Sequence, residues 1–317
     1  MLQRLPRGGV ATIISLLVLV LWAQRPFAVQ PPGDVPDAEA IVWHAPTAAI
    51  VDRETLHRAL TQADYLILGE IHDNPRHHRI QAELLGEFAD SVDDNKLAVG
   101  FEQLSLDQKT ALDTYLQQSD ADAQSLGDAV QWQASGWPDY AIYRPLFAAT
   151  LQRNLPVIPL MHSADATREI MQDGSAAVLP ATALERLRPD TLLDREQTAV
   201  VEREMQQSHC GKLPAAMLPA MVNVQIARDA FMAYAAVEAA NRAVIITGNG
   251  HARRDRGIPR FLQRLRPDAR IVVVTLLEAA QDTSPEMQAS RRAGENVTDF
   301  AIITPPQPRE DPCLAFQ

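Results

Sequence analysis

Six short apolar runs set the first limit on what this chain can become. "YLILG" (65–69), "LAVGFE" (97–102), "LPVIPLM" (155–161), "AVIITG" (243–248), "RIVVVTLL" (270–277) and "FAIIT" (300–304) are each of strand length and nearly free of polar residues. A strand with one wet face alternates apolar and polar side chains, so an unbroken run needs cover on both faces. Most of the stretches between them leave room for the helices that parallel neighbours require. The expected fold is therefore α/β, a largely parallel central sheet flanked by helices. "AIVWHA" and "AAIVD", ahead of the first run, are spaced like a short hairpin. With 317 residues, 46% of them hydrophobic, a sizeable core is within reach. Only 5% are aromatic, so Ala, Val, Leu and Ile must build most of it.

Helical spacing fills the gaps. From Arg76 to Phe88 the apolar residues Ile80, Leu84 and Phe88 make one stripe, with Asp73 or Asn74 as cap and Pro75 at the first position. Residues 163–240 show no convincing strand and read as a helical insertion, a lid or small subdomain between strands of the sheet. Met205, Met217, Met221 and Met232 dot this stretch. Core filling is the ordinary role for them, an adaptable pocket wall or a sulfur ligand the sharper one.

The N-terminus reads as a targeting segment. Arg4 and Arg7 precede the apolar stretch "VATIISLLVLVLW" from Val10 to Trp22, and Ala23 and Ala28 offer cleavage sites. The stretch is shorter than the roughly 20 residues of a membrane span. Residues 1–30 are expected to be a signal peptide, 31–40 a linker and 41–317 a single domain. No cysteine lies near the segment, so lipid attachment at such a residue is not available. The expected location is exported, periplasmic or extracytoplasmic. An oxidising compartment would let Cys210 and Cys313 pair and tie the middle of the chain to its tail, the alternative being two unpaired thiols. The net charge of -11 argues against a nucleic-acid partner.

Chemistry collects where the apolar runs stop. "YLILGEIH" ends in Glu70 and His72, "LAVGFE" in Glu102 and "AVIITGNGH" in His251. In an open α/β sheet, ligands lie beyond the carboxyl ends of the strands, so these side chains should converge. Glu70 and His72 are two apart and face one side of an extended backbone. His77 and His78 fall at a helix N-terminus, where the dipole favours a neutral, metal-capable imidazole. The two glycines of "GNGH" would let a tight turn present His251. Glu70, His72, His78 and His251 are thus candidate ligands for Zn, Mn or Fe. His162, after a strand-like run, is a weaker candidate, and His57 and His209 are weaker still. A second group, Trp137, Tyr140, Tyr143 and Arg144 in "WPDYAIYRPLF", could wall an acidic, flat ligand, with a tyrosine available to iron, or simply be a packed helix. Phosphate-loop, dinucleotide, HExxH and GxSxG motifs are missing from the sequence.

"YLILGEIHDNPRHHRIQAELL", "LAVGFEQLSLDQKTALDTYL", "WPDYAIYRPLF", "QIARDAFMA" and "VIITGNGHARRDRGIPRFL" together resemble the ChaN-like haem-binding uptake family of the Tiki superfamily, over about residues 40–277. The superfamily also holds TraB-type and erythromycin-esterase-like proteins. The resemblance implies an α/β fold with its site at the strand ends and an exported haem-binding protein serving iron uptake. Tyr140, Tyr143 or a histidine would then bind the iron, and Arg144 or Arg253 the propionates. It also implies an alternative, a divalent-metal-dependent hydrolase of peptides or esters. There Gly69 and His72 are the Gly-x-x-His motif, Glu70 and Glu102 the acids, His251 the second histidine, and Glu102 the base. A scaffold that has lost its chemistry is a third reading. Expected partners are haem or another small molecule, a second copy of the chain, and a membrane or transporter met transiently. Family members are often lipoproteins, and this chain departs from them in lacking the cysteine.

Overall fold

The computed structural model of the chain describes residues 40–92, 97–279, 297–311 and 313–314. All six apolar runs form strands. With the leading hairpin they are β1 (Ile41–His44), β2 (Ala49–Ile50), β3 (Tyr65–Glu70), β4 (Leu97–Ser105), β5 (Val157–Met161), β6 (Arg242–Gly248), β7 (Ile271–Glu278) and β8 (Phe300–Thr304). They build one eight-stranded sheet in the order β2-β1-β8-β7-β3-β6-β4-β5. From β8 to β5 every pairing is parallel. The hairpin adds antiparallel pairs, β1 with β2 and β1 with β8, so the sheet is mixed but mostly parallel.

The helices are α1 (Arg53–Thr61), α2 (Pro75–Asp90), α3 (Lys109–Leu116), α4 (Leu126–Ala129), α5 (Tyr140–Leu151), α6 (Ala166–Asp173), α7 (Ala181–Leu187), α8 (Arg195–Ser208), α9 (Leu218–Ala239) and α10 (Ile258–Leu265). They cover both faces, and strand parity decides which. Leu66 and Leu68 of β3, with Val244 and Ile246 of β6, pack against Leu84 and Phe88 of α2 and Phe147 of α5. Tyr65 and Ile67, with Ala243 and Ile245, pack against Ala233 of α9 and Phe261 of α10. Each fully buried Leu or Ile of this kind contributes about 1.5–3 kcal/mol, which is why unbroken apolar runs are retained here.

Between β5 and β6 the described chain is helical, α6 to α9. It does not stand apart as the expected subdomain. α9 carries its apolar side chains into the same cluster as β3 and β6 and serves as one of the covering layers. Cys210, just after α8, is disulfide-bonded to Cys313, 103 positions on. Arg309 also fastens the tail, donating to Asp73 at 2.9 and 3.0 Å and to Glu278 at 2.7 and 2.6 Å. The expected signal peptide and most of the linker lie outside the described residues.

The connections define one crevice. After β3 the chain crosses through α2 to β4, passing over the place that β6 later takes. After β6 it crosses through α10 to β7, on the other side of β3. α2 and α10 lie on opposite faces, so the loops leaving β3 and β6 diverge. That divergence is the topological switch point, the place in such sheets where ligands bind.

Candidate functional site

Parity that sorts the core also sorts the polar residues at this crevice. Glu70 follows Leu66 and Leu68 and turns toward α2 and α5. Its Oε1 accepts from Gln103 Nε2 at 2.8 Å and from the Tyr143 hydroxyl at 3.2 Å, and lies 2.8 Å from His72 Nδ1. Its Oε2 lies 3.0 Å from His78 Nδ1, an ion-pair distance off the hydrogen-bond direction. Burial opposes its charge, but His78 and His72 outweigh that and hold the carboxyl down at about 2.

Glu102 belongs to the opposite parity from Val99 and Phe101 and turns toward α9. Oε2 accepts from Thr247 Oγ1 at 2.6 Å and from the Gly248 backbone N–H at 2.7 Å, and Oε1 lies 3.4 Å from His251 Nε2. β4 does not end at Glu102 as the sequence suggested. It continues to Ser105, but its pairing with β6 stops at Phe101, which frees Glu102 to meet the β6 end. His251 Nδ1 donates to Asp229 Oδ1 at 2.6 Å, and the Gln225 amide Nε2 lies 2.9 Å from the same ring nitrogen without accepting from it. Burial works against a charged His251, yet Glu102 and Asp229 raise it to about 10. Glu102 is held far below the carboxylate range despite its burial, chiefly by His251. Asp229 is pushed up to about 6, mainly by burial.

The two halves meet at Gly248. A Cβ there would lie 2.7 Å from His72 Cε1 and Nε2 and 3.7 Å from Glu102 Oε2. Gly250, the other glycine of "GNGH", would tolerate a Cβ with nothing within 4 Å, so Gly248 is the glycine the site requires. His72 is gripped through Nδ1 by Glu70, which orients its ring and leaves Nε2 forward, whereas His251 is held at both nitrogens, by Asp229 at Nδ1 and Glu102 at Nε2. The His72 side chain is 38% exposed, packs edge-on to Trp137 at 4.8 Å and makes no hydrogen bond through Nε2 among the described residues. Burial opposes its protonation, but Glu70 and Glu102 raise its pKa overall.

The other candidates take different places. Both nitrogens of buried His78 already face acceptors, His72 O at 3.0 Å from Nε2 and Gln81 Oε1 at 3.2 Å from Nδ1, so it has no lone pair turned to a metal. His77 Nδ1 accepts from the Ile71 N–H at 3.0 Å, and Nε2 donates to Thr304 Oγ1 at 3.1 Å. It is a strut between β3 and β8, with burial pressing its pKa to about 3. Tyr140 packs against Trp132 and Phe147 and donates to Ala123 O at 2.7 Å. Tyr143 is fully buried, donating to Glu70 and, at 3.0 Å, to His72 O. Burial pushes both phenols upward, away from the phenolate an iron ligand needs. Arg144 is exposed and bonded to Gln124, and Arg253 pairs with Asp255 at 2.9 and 2.8 Å. His162 directly follows β5, buried, with Nδ1 on Ser163 O at 2.7 Å. Three or more His, Cys, Asp or Glu arranged to hold one metal ion are not found among the described residues. The proposed set Glu70, His72, His78 and His251 is instead split between two carboxylate–histidine pairs and a buried, committed His78.

Sequence reading missed Gln103, Tyr143 as the clamp on Glu70, and Asp229 as the clamp on His251. Asp229 had a signal: an acid in "IARDAFMAYAAVEAA", a helix otherwise apolar over that face. Gln103 had none.

The family model described as "Haem-binding uptake, Tiki superfamily, ChaN" matches residues 56–262. The chain belongs to this family. That span runs from α1 to α10 and includes every residue of the crevice. Among solved structures, one described as cofacial haem binding to ChaN of Campylobacter jejuni is similar at 18% identity. It covers 83% of this chain and 96% of its own, with a TM-score of 0.65, a likeness of fold. The type III effector HopBA1 (12% identity, 80% and 93% coverage, TM-score 0.40) and an erythromycin esterase EreC mutant in its open conformation (11%, 87% and 86%, 0.38) are more distant. No curated protein matches the chain.

Proposed function

We propose that the protein is an exported haem-binding protein that serves iron uptake, and that His72 binds the iron. Membership in the haem-binding uptake family supports the ligand, and the C. jejuni relative is described as binding haem. The residues present fit a haem ligand at one point above the others. His72 Nε2 stands forward without a hydrogen bond, and Glu70 holds Nδ1, which raises the ligand's basicity. Trp137 at its edge gives the mouth apolar surface. The tyrosines of the first expectation are spoken for by Ala123 O, Glu70 and His72 O. Export is supported by the signal-like residues 1–30 and by the disulfide, which persists in oxidising compartments.

A haemin titration of the purified protein tests this. A saturable Soret shift in the wild type, lost in His72→Ala and weakened at least about tenfold in Gly248→Ala, is the expected result. The Gly248 variant acts by pushing the imidazole aside. A wild type with no saturable shift overturns the reading, and an unchanged shift in His72→Ala overturns the ligand.

A second reading rests on the carboxylate–histidine pairs, which also suit acid–base work on an ester or peptide. Its metal-dependent form lacks a set of three ligands among the described residues. Glu102, held by two donors and a cationic His251, is far too acidic to be a general base near neutral pH. Haem binding is therefore the stronger reading.

A further inference from the structure

α9 carries more into the crevice than Asp229. Gln225 and Asp229, one turn apart, both reach His251 Nδ1. Arg228 lies between them, one turn before Phe231, whose ring meets His162 edge-on at 6.3 Å. So the Arg228 side chain leaves the helix between His251 on one flank and His162 on the other. It is half-buried, its Nε is shielded from solvent, and the guanidinium has neither an ion pair nor a hydrogen bond among the described residues. Shielding a guanidinium nitrogen from water without giving it an acceptor is costly, so the Nε of Arg228 is left wanting a partner.

The carboxylates nearest in the fold do not explain it. Glu102 Oε2 is committed to Thr247 and Gly248, and Asp229 to His251. Their charges are felt at Arg228, where burial lowers the pKa and Glu102 and Asp229 oppose that, but neither makes contact. On its other flank His162 is 3% exposed, and its Nε2 is buried without a hydrogen-bond partner. Two buried nitrogens without partners, on adjoining elements at the ligand edge of the sheet, mark a place for a group that brings its own oxygens.

We propose that Arg228 and His162 form a carboxylate-binding subsite beside the His72 crevice, and that it anchors a carboxylate-bearing ligand. A guanidinium fits a carboxylate through two parallel N–H···O bonds. In the haem reading the carboxylate is a propionate, and to that extent the inference rests on that reading. It also replaces Arg144 and Arg253, whose guanidinium groups already have partners. His162 plays the second part. Its Nδ1–H is committed to Ser163 O, so Nε2 carries a lone pair until it takes a proton. Burial and then Arg228 on α9 disfavour that proton, while the hydrogen bond to Ser163 O and Asp107 in the turn after β4 favour it and Phe231 is neutral. A carboxylate seated on Arg228 cancels the opposing cation, and His162 then takes a proton from solvent and donates Nε2–H to the second oxygen.

The test uses the full chain with 15N-labelled histidine, titrated with sodium propionate against sodium chloride at equal ionic strength. In the wild type, propionate should move His162 Nε2 saturably from the unprotonated to the protonated range. In Arg228→Gln the response should be lost, and in Arg228→Lys it should need several-fold more propionate. No response in the wild type, or an equal one in Arg228→Gln, overturns the subsite. Arg228→Gln should melt no lower than the wild type, since it removes an unpaired cation, and Arg228→Lys keeps the test open if it does not fold. Soret titrations then separate the two readings. Haemin should bind the wild type about tenfold more tightly than haemin dimethyl ester, with the difference gone in Arg228→Gln. Equal binding of acid and ester by the wild type overturns the propionate assignment. Propionate binding without any haemin binding keeps the subsite and removes haem.

Discussion

Four histidines at the ends of β3 and β6 do different work because of what each ring's nitrogens meet. His72 is held by a carboxylate at one nitrogen and His251 by carboxylates at both. His78 has an acceptor at each nitrogen, and His77 has a donor at one and an acceptor at the other. The last pair of contacts fixes His77 as neutral, so its burial becomes a pH dependence. Its folded pKa is about 3 and its ordinary value 6.5. Between those values the unfolded chain holds more protons, so stability falls as pH falls through that window. Urea unfolding between about pH 4 and 6 should show a slope reduced by about 1 kcal/mol per pH unit in His77→Asn. An identical slope in the variant would reject the neutral strut. His251 runs the other way. Its pKa is raised, so its contribution is complete below its ordinary value and is lost as pH rises through about 10. His251→Gln should be less stable than the wild type at neutral pH and differ less at strongly alkaline pH.

At the scale of elements, α2 shows how a cap can reach beyond its helix. Asn74 Oδ1 accepts from the Arg76 and His77 N–H groups at 2.9 and 3.2 Å, and its Nδ2 donates to Glu278 Oε1 at 2.6 Å. Glu278 in turn holds Arg309 of the tail. Asn74→Ala should cost about 1–2 kcal/mol in urea denaturation, because the cap and the bond to the end of β7 go together. A loss below about 0.5 kcal/mol would mean that other groups satisfy the helix end. α5 illustrates the opposite case. "WPDYAIYRPLF" looked equally like a ligand wall or a packed helix. The structure buries Tyr140 and Tyr143 against Trp132, and sets Trp137 edge-on to the His72 ring.

For the molecule as a whole, the Cys210–Cys313 bond closes the one disulfide loop of the chain, which holds α9, β6, α10, β7 and β8. Cross-linking a loop on the order of 100 residues removes unfolded-state entropy worth about 4–5 kcal/mol. The double variant Cys210→Ser with Cys313→Ser should therefore unfold at clearly lower denaturant. The wild type in excess reductant should approach it. Coincident wild-type and variant curves without reductant would show that Arg309 and its acids fasten the tail unaided.

The sequence alone determined the parallel sheet, its leading hairpin, the cap and stripe of α2, and the convergence of Glu70, His72, Glu102 and His251 on one edge. The reason is local: unbroken apolar runs need two covered faces, and polar residues at their ends fall where a sheet of this topology binds ligands. Strand order is not local. It was tertiary structure that placed β6 between β3 and β4, so that Gly248 comes to lie between His72 and Glu102. Tertiary structure also brought Asp229, Gln225 and Arg228 from a helix to the same edge, and spent Tyr143 and His78 on holding Glu70. Those roles depend on which side chain lies across a gap in space. No spacing along the chain records that distance.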